Sequence, residues 1–190
     1  MTNIPDNSWW YQKELVEEEA RKFDPRAKVK LKTGWVWKMS DALTNSATAI
    51  MDTVYFPADW TWAECCNKMC HEVRGHVKQF SFFGFGNPKV GIVLMTFIYG
   101  LLFFPILLAW GRYRIELHAC ATEWEHFFRG QKGFKALEDY ILNEWAPHQA
   151  DSISGKMYVY AVPKFWARWG YNRKAKKVIA KVKAELDQKS

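Results

Sequence analysis

The sequence has few cysteines, and none of their spacings is typical of a closed structural zinc site. The four are Cys65, Cys66, Cys70 and Cys120, whereas a structural zinc usually takes four ligands in paired spacing. Cys66, Cys70 and His71 could be read as a soft metal cluster, but small cysteine side chains also suit a buried helix face. We therefore interpret the cysteines as core residues with free thiols.

The sequence also lacks a segment that resembles a secretory leader, because residues 1–26 are polar and acidic rather than apolar. The expected location is a reducing one, either the cytoplasm or a larger particle such as a virion. No internal repeat or low-complexity tract occurs. With 190 residues and 49% hydrophobic residues, the chain is expected to form a single globular domain, residues 1–190.

Acidic residues are fewer than basic ones, and aromatic residues are unusually frequent for a globular protein. The net charge is +7, and aromatics make up 17% of the chain, which favours anionic partners and aromatic contacts within a protein assembly. The basic residues concentrate in 164–189 and are interpreted as a solvated helix face. Because this tail lacks interleaved aromatics and groove-reading motifs, we do not expect nucleic-acid binding.

Hydrophobic periodicity predicts an α+β fold that is mostly helical, with a small antiparallel sheet ahead of the helix at 62–80. Thr61 and Glu64 stand in capping-box register at the start of that helix. Thr53 to Phe56 is followed by Pro57, which is typical of an edge strand. Helices are expected at 8–22, 35–43, 62–80, 113–128, 134–145 and, as a basic amphipathic helix, 172–187; strands are expected at 28–32 and within 48–56.

One motif in the 62–80 helix carries the chemistry. His71 and Glu72 are followed by His76, and two histidines with a neighbouring glutamate suit a zinc ion and the base that activates water. In the usual pattern the histidines are four residues apart, but here they are five apart. On a regular α-helix that spacing separates them by about 140°. A one-residue insertion before Gly75 and His76 could be absorbed as a π-bulge, which would realign them.

The string from His71 to His76 resembles the HExxGH motif of the dipeptidyl-peptidase III family. Its context is similar to small bacterial and phage proteins of the gluzincin type. In those, an edge strand precedes the motif helix, His-Val-x-Gln follows, and a later helix carries Glu-x-x-Ala; here these are 53–56, 76–79 and 116–119. The resemblance implies a zinc peptidase in which His71, His76 and Glu116 bind zinc and Glu72 is the general base.

Other residues remain open for the third ligand and for a supporting role. His118, Glu123 and His126 are alternatives to Glu116 as the third ligand. Tyr113 or His118 could polarise the carbonyl group of a substrate.

Residues 90–111 contain no charged side chain and are long enough to cross a bilayer, which takes about 20 residues. A single crossing would place the histidines and Glu116 on opposite sides of a membrane. Gly100 and Pro105 offer a bend, so we expect an apolar helical hairpin, inserted in the core, in a membrane or against a partner.

The sequence therefore predicts a zinc-dependent metallopeptidase that acts on a peptide or protein. One alternative is a non-catalytic structural or assembly protein on the same scaffold, such as a virion component. A second alternative is an integral membrane protein in which the motif is coincidental.

Overall fold

The computed structural model of the chain describes residues 9–39, 44–87, 89–94, 105–131, 134–154 and 162–188. They divide into two compact units, an N-terminal unit, Met1–Met95, and a C-terminal unit, Thr96–Ser190. Each unit has its own buried core. The single domain expected over 1–190, and its likeness to zinc peptidases, stay predictions.

The N-terminal unit contains helix α1 (Trp9–Phe23), a short 3-10 helix (Trp35–Met39) and a three-stranded sheet. The strands are β1 (Lys28–Leu31), β2 (Thr48–Ile50) and β3 (Thr53–Phe56). A two-residue turn joins β2 to β3, and Met51 adopts a φ of 57° there, as tight hairpins require.

The sheet corrects two expectations. Its order is β1-β3-β2, so β3, Thr53–Phe56, is the central strand and not an edge. Pro57 follows the last paired residue and therefore removes no hydrogen bond from the ladder. The sheet is also mixed rather than purely antiparallel, because β1 pairs with β3 in parallel while β2 pairs with it antiparallel. The 3-10 helix and β2 supply the long connection that a parallel pair needs.

The motif helix consists of three contiguous segments: α2 (Trp62–Met69), a π-helical segment π1 (Cys70–Val77) and α3 (Lys78–Phe83). The predicted capping box is confirmed, since the Glu64 backbone N–H donates to Thr61 Oγ1 and the Thr61 N–H donates to Glu64 Oε2. The core face of this helix joins side chains from α1, β1 and β3 in one cluster: Val16, Ala20, Val29, Val54, Phe56, Cys65, Met69, Val73 and Val77.

The C-terminal unit is wholly helical in its described residues. It contains α4 (Pro105–Gly130), α5 (Lys135–Tyr140), a π-helical segment π2 (Ile141–Trp145), α6 (Ala146–Ile153) and α7 (Lys164–Asp187). Gly170 on α7 lets α4 approach closely, because a Cβ there would lie 1.7 Å from the Tyr113 hydroxyl and would displace that ring.

Two helices of the C-terminal unit are longer than their sequence patterns indicated. The helical run that was expected to end at 145 continues to Ile153 through Pro147, which follows the π-helical segment π2 directly. The last helix begins at Lys164 rather than at 172. The mostly helical α+β class is confirmed.

The predicted apolar hairpin over 90–111 falls partly outside the described residues. Residues 89–94 are helical, and residues 105–111 form the start of α4, whereas 95–104, including Gly100, lie outside. Pro105 is the first described residue of α4. Among the described residues, no helix has the length and apolar character needed to cross a membrane.

Candidate metal centre

The two motif histidines lie side by side on π1. In a π-helix the hydrogen bonds run from residue i to residue i+5, so side chains five apart come one turn apart. The rings of His71 and His76 accordingly meet edge to face, with their centroids 5.0 Å apart. Both side chains are buried. The π-helical solution expected for the five-residue spacing is confirmed.

Gln79 holds the ring of His76 from within the motif helix. Its Oε1 lies 3.0 Å from His76 Nδ1, and both side chains are buried. Because a carboxamide oxygen only accepts, this contact is a hydrogen bond in the tautomer that carries its proton on Nδ1. That tautomer leaves the Nε2 lone pair for a metal ion, in the way that partners of ligating histidines usually fix ring orientation.

Replacing Gln79 with alanine is expected to weaken zinc binding by about 10–100-fold, the usual effect of losing such a partner. The dissociation constant is measured by competition with a chromophoric chelator. Gln79→Glu keeps an acceptor oxygen and should retain most of the affinity, and Gln131→Ala, at an exposed position, is the matched control. If Gln79→Ala bound zinc as tightly as the parent protein, Gln79 would not orient a ligand.

Glu72 is buried beside His71 in the same segment. Its charge acts on Lys32, a lysine that follows β1. Burial lowers the pKa of Lys32 to about 8, against the opposing effect of Glu72. The Lys32 ammonium donates to the Ser46 carbonyl and to Thr48 Oγ1, and it lies 4.9 Å from the centroid of the Trp37 ring.

Sequence reasoning missed Lys32, because the alternation over 28–32 places it on the exposed side with Lys28 and Lys30. The strand ends at Leu31, so the alternation does not extend to Lys32. The side chain is 8% exposed. A buried lysine beside a buried carboxylate marks a functional region more often than a surface ion pair does.

A second set of donors lies along α4 in the C-terminal unit. Glu116, Cys120 and Glu123 are spaced four and three residues apart, so they share one face of the helix. All three side chains are buried. The sequence indicated Glu116, with Glu123 among the alternatives, and helical spacing was the signal that could have added Cys120.

Two groups of these buried side chains could hold a metal ion. One is His71, His76 and Glu116, and the other is His71, Cys120 and Glu123. Two imidazoles with one carboxylate, or one imidazole with a thiolate and a carboxylate, are donor sets that suit zinc.

The remaining candidates from the sequence occupy other settings. His118 is exposed and His126 is half-buried, and neither belongs to a metal group of the described residues. Tyr113 is buried among the rings of the C-terminal core, with its ring 5.9 Å from that of Tyr171.

The cysteines at the start of the motif helix behave as core thiols. Burial raises the pKa of Cys65 to about 12 and that of Cys66 to about 11. A metal takes the thiolate form, so these raised pKa values oppose metal binding by either residue. The interpretation of Cys65 as a buried hydrophobe is confirmed.

Comparison of the chain with protein-family models, with curated proteins and with solved structures finds no match.

Proposed function

We propose that the chain is a zinc-dependent metallopeptidase in which His71, His76 and Glu116 hold the ion. The observation that carries the proposal is the π-helical segment, which sets two buried imidazoles 5.0 Å apart next to a buried glutamate. π-helical turns are frequent at functional sites. Two histidines and a carboxylate would leave a coordination position open for substrate or water.

Glu72 is the general base in this proposal. A zinc ion bound by the three residues would supply Lewis acidity to a peptide carbonyl and lower the pKa of nearby water. Glu72 would take the proton of the attacking water and pass it to the departing amine. His76, held by Gln79, would keep its Nε2 directed at the ion.

The substrate would bind as an added strand at β2. β2 is at an edge of the described sheet, and it packs directly against π1. An extended peptide can pair with the free side of an edge strand, where main-chain hydrogen bonds provide affinity. The sequence pattern predicted 53–56 as the edge strand, but both sides of that strand are already paired.

The proposal is tested with zinc removal and return. Protein stripped with a chelator should not cleave a set of internally quenched peptides, and stoichiometric zinc should restore cleavage. Zinc-loaded protein that cleaves no peptide, or cleavage that a chelator does not affect, would exclude the proposed mechanism.

A second candidate is a non-catalytic assembly protein on the same scaffold, such as a component of a larger particle. Phe82 and Phe85, at the end of the motif helix, are 77% and 96% exposed, and exposed rings of this size suit a subunit contact. Sedimentation analysis distinguishes the candidates, because a monomer at high concentration would contradict assembly, and an oligomer disrupted by Phe82→Ser/Phe85→Ser would support it.

A further inference from the structure

Helix α7 buries one face and leaves the opposite face to solvent. At about 100° per residue, its buried residues occupy one side and pack in the core of the C-terminal unit: Ala167, Tyr171, Ala175, Val178, Ile179 and Val182. The exposed face lies on the other side of the helix and is centred between Trp169 and Arg173. Docking through this face would therefore leave the core of the unit intact.

Three aromatic side chains occupy the first turns of the exposed face. Phe165, Trp166 and Trp169 are 67%, 54% and 65% exposed. The rings of Phe165 and Trp166 meet edge to face at 5.9 Å. Single exposed apolar side chains are ordinary, but three adjacent ones on a single helix face mark a contact surface.

Basic side chains continue the same face in the following two turns. Arg173, Lys176 and Lys177 lie at similar angles around the helix to the three rings, and the guanidinium of Arg173 is 5.3 Å from the centroid of the Trp169 ring. From 164 to 184 the sequence has eight basic residues and no acidic one. No described acidic side chain forms an ion pair with Lys176 or Lys177.

The basic residues at the flanks of this face form ion pairs with other helices of the C-terminal unit. Lys164 and Arg168 both pair with Asp151, and Lys181 pairs with Glu125. The pairs with Asp151 link α7 to α6, and the pair with Glu125 links α7 to α4. The basic side chains at the centre of the face, Arg173, Lys176 and Lys177, are therefore the ones that can contact a negatively charged partner.

We propose that this face of α7 docks on the surface of an anionic lipid bilayer. Tryptophan and phenylalanine rings lodge at the level of the lipid headgroups, and lysine and arginine contact the phosphates beside them. On the exposed face the three rings come first, and Arg173, Lys176 and Lys177 follow them along the helix. A protein that binds single-stranded nucleic acid, in contrast, usually has a groove along which aromatic and basic side chains alternate.

The test uses the whole protein and vesicles of phosphatidylcholine with or without phosphatidylglycerol. We expect cosedimentation with the anionic vesicles only, weakened by salt because surface charges are screened. Each basic residue near such a surface is worth about a fivefold change in affinity. Lys176→Gln/Lys177→Gln should therefore weaken binding by about 25-fold, whereas Lys30→Gln/Lys38→Gln, at two exposed lysines of the N-terminal unit, should not.

The aromatic part of the face is tested separately. Vesicle binding is expected to shift tryptophan emission to shorter wavelength. Trp166→Ser/Trp169→Ser should reduce vesicle binding and remove most of this shift, while Trp35→Ser, at a ring that is 74% exposed, should change neither greatly. Circular dichroism confirms that each variant is folded. Equal binding to both kinds of vesicle, no binding, or binding of single-stranded oligonucleotides in place of vesicles would overturn the proposal.

Discussion

Replacing Glu72 with glutamine is expected to reduce peptide hydrolysis by about 10²–10⁴-fold, the usual contribution of a general base. Glutamine has nearly the same shape but accepts no proton, so zinc should remain bound. The measurement is the cleavage rate of a quenched peptide by zinc-loaded protein, with zinc content determined on the same samples by elemental mass spectrometry.

Glu18→Gln is the matched control, because Glu18 is exposed on α1 and has no part in the proposed chemistry. It should leave the cleavage rate unchanged. Full hydrolysis by Glu72→Gln would show that another group takes the proton. Loss of zinc together with activity would instead indicate that Glu72 supports the metal site.

Zinc affinity is expected to fall by more than about 100-fold in each of the variants His71→Ala, His76→Ala and Glu116→Ala. The loss of a partner that only orients a ligand already costs about 10–100-fold, and a missing ligand costs more. His148→Ala, at an exposed histidine of α6, should bind zinc as the parent protein does. If His76→Ala bound zinc as tightly as the parent protein, His76 would not be a ligand, and the alignment of the two histidines by π1 would not serve zinc binding.

The same series separates the two candidate metal groups. If Glu116 is the third ligand, Cys120→Ser and Glu123→Gln should keep zinc. If instead those two variants lose zinc while Glu116→Ala keeps it, the ion is held by His71, Cys120 and Glu123. A cobalt-substituted protein gives an independent readout, because a thiolate ligand adds an intense charge-transfer band in the near ultraviolet.

The local chemistry of the motif helix could be predicted from its sequence. Thr61 and Glu64 are three residues apart, and a capping box depends only on that spacing. The five-residue separation of His71 and His76 also has one economical helical solution, the π-segment. Both features are present because they are decided within a few residues of the chain.

The tertiary features were harder to predict. Pro57 suggested an edge strand for 53–56, but a proline outside the ladder says nothing about how many neighbours the strand has. Lys32 is buried because its ammonium reaches Ser46 and Thr48 across the sheet, and those residues are 14 and 16 positions away. Such contacts depend on the pairing of strands, which no local pattern in this sequence encodes.

The most direct test of the account is the zinc content of the parent protein, purified without chelators and measured by elemental mass spectrometry. The account predicts close to one zinc ion per chain, retained through dialysis. Protein that contains no zinc as purified, and that retains none after incubation with zinc and dialysis, would contradict the metal centre and the peptidase proposed from it.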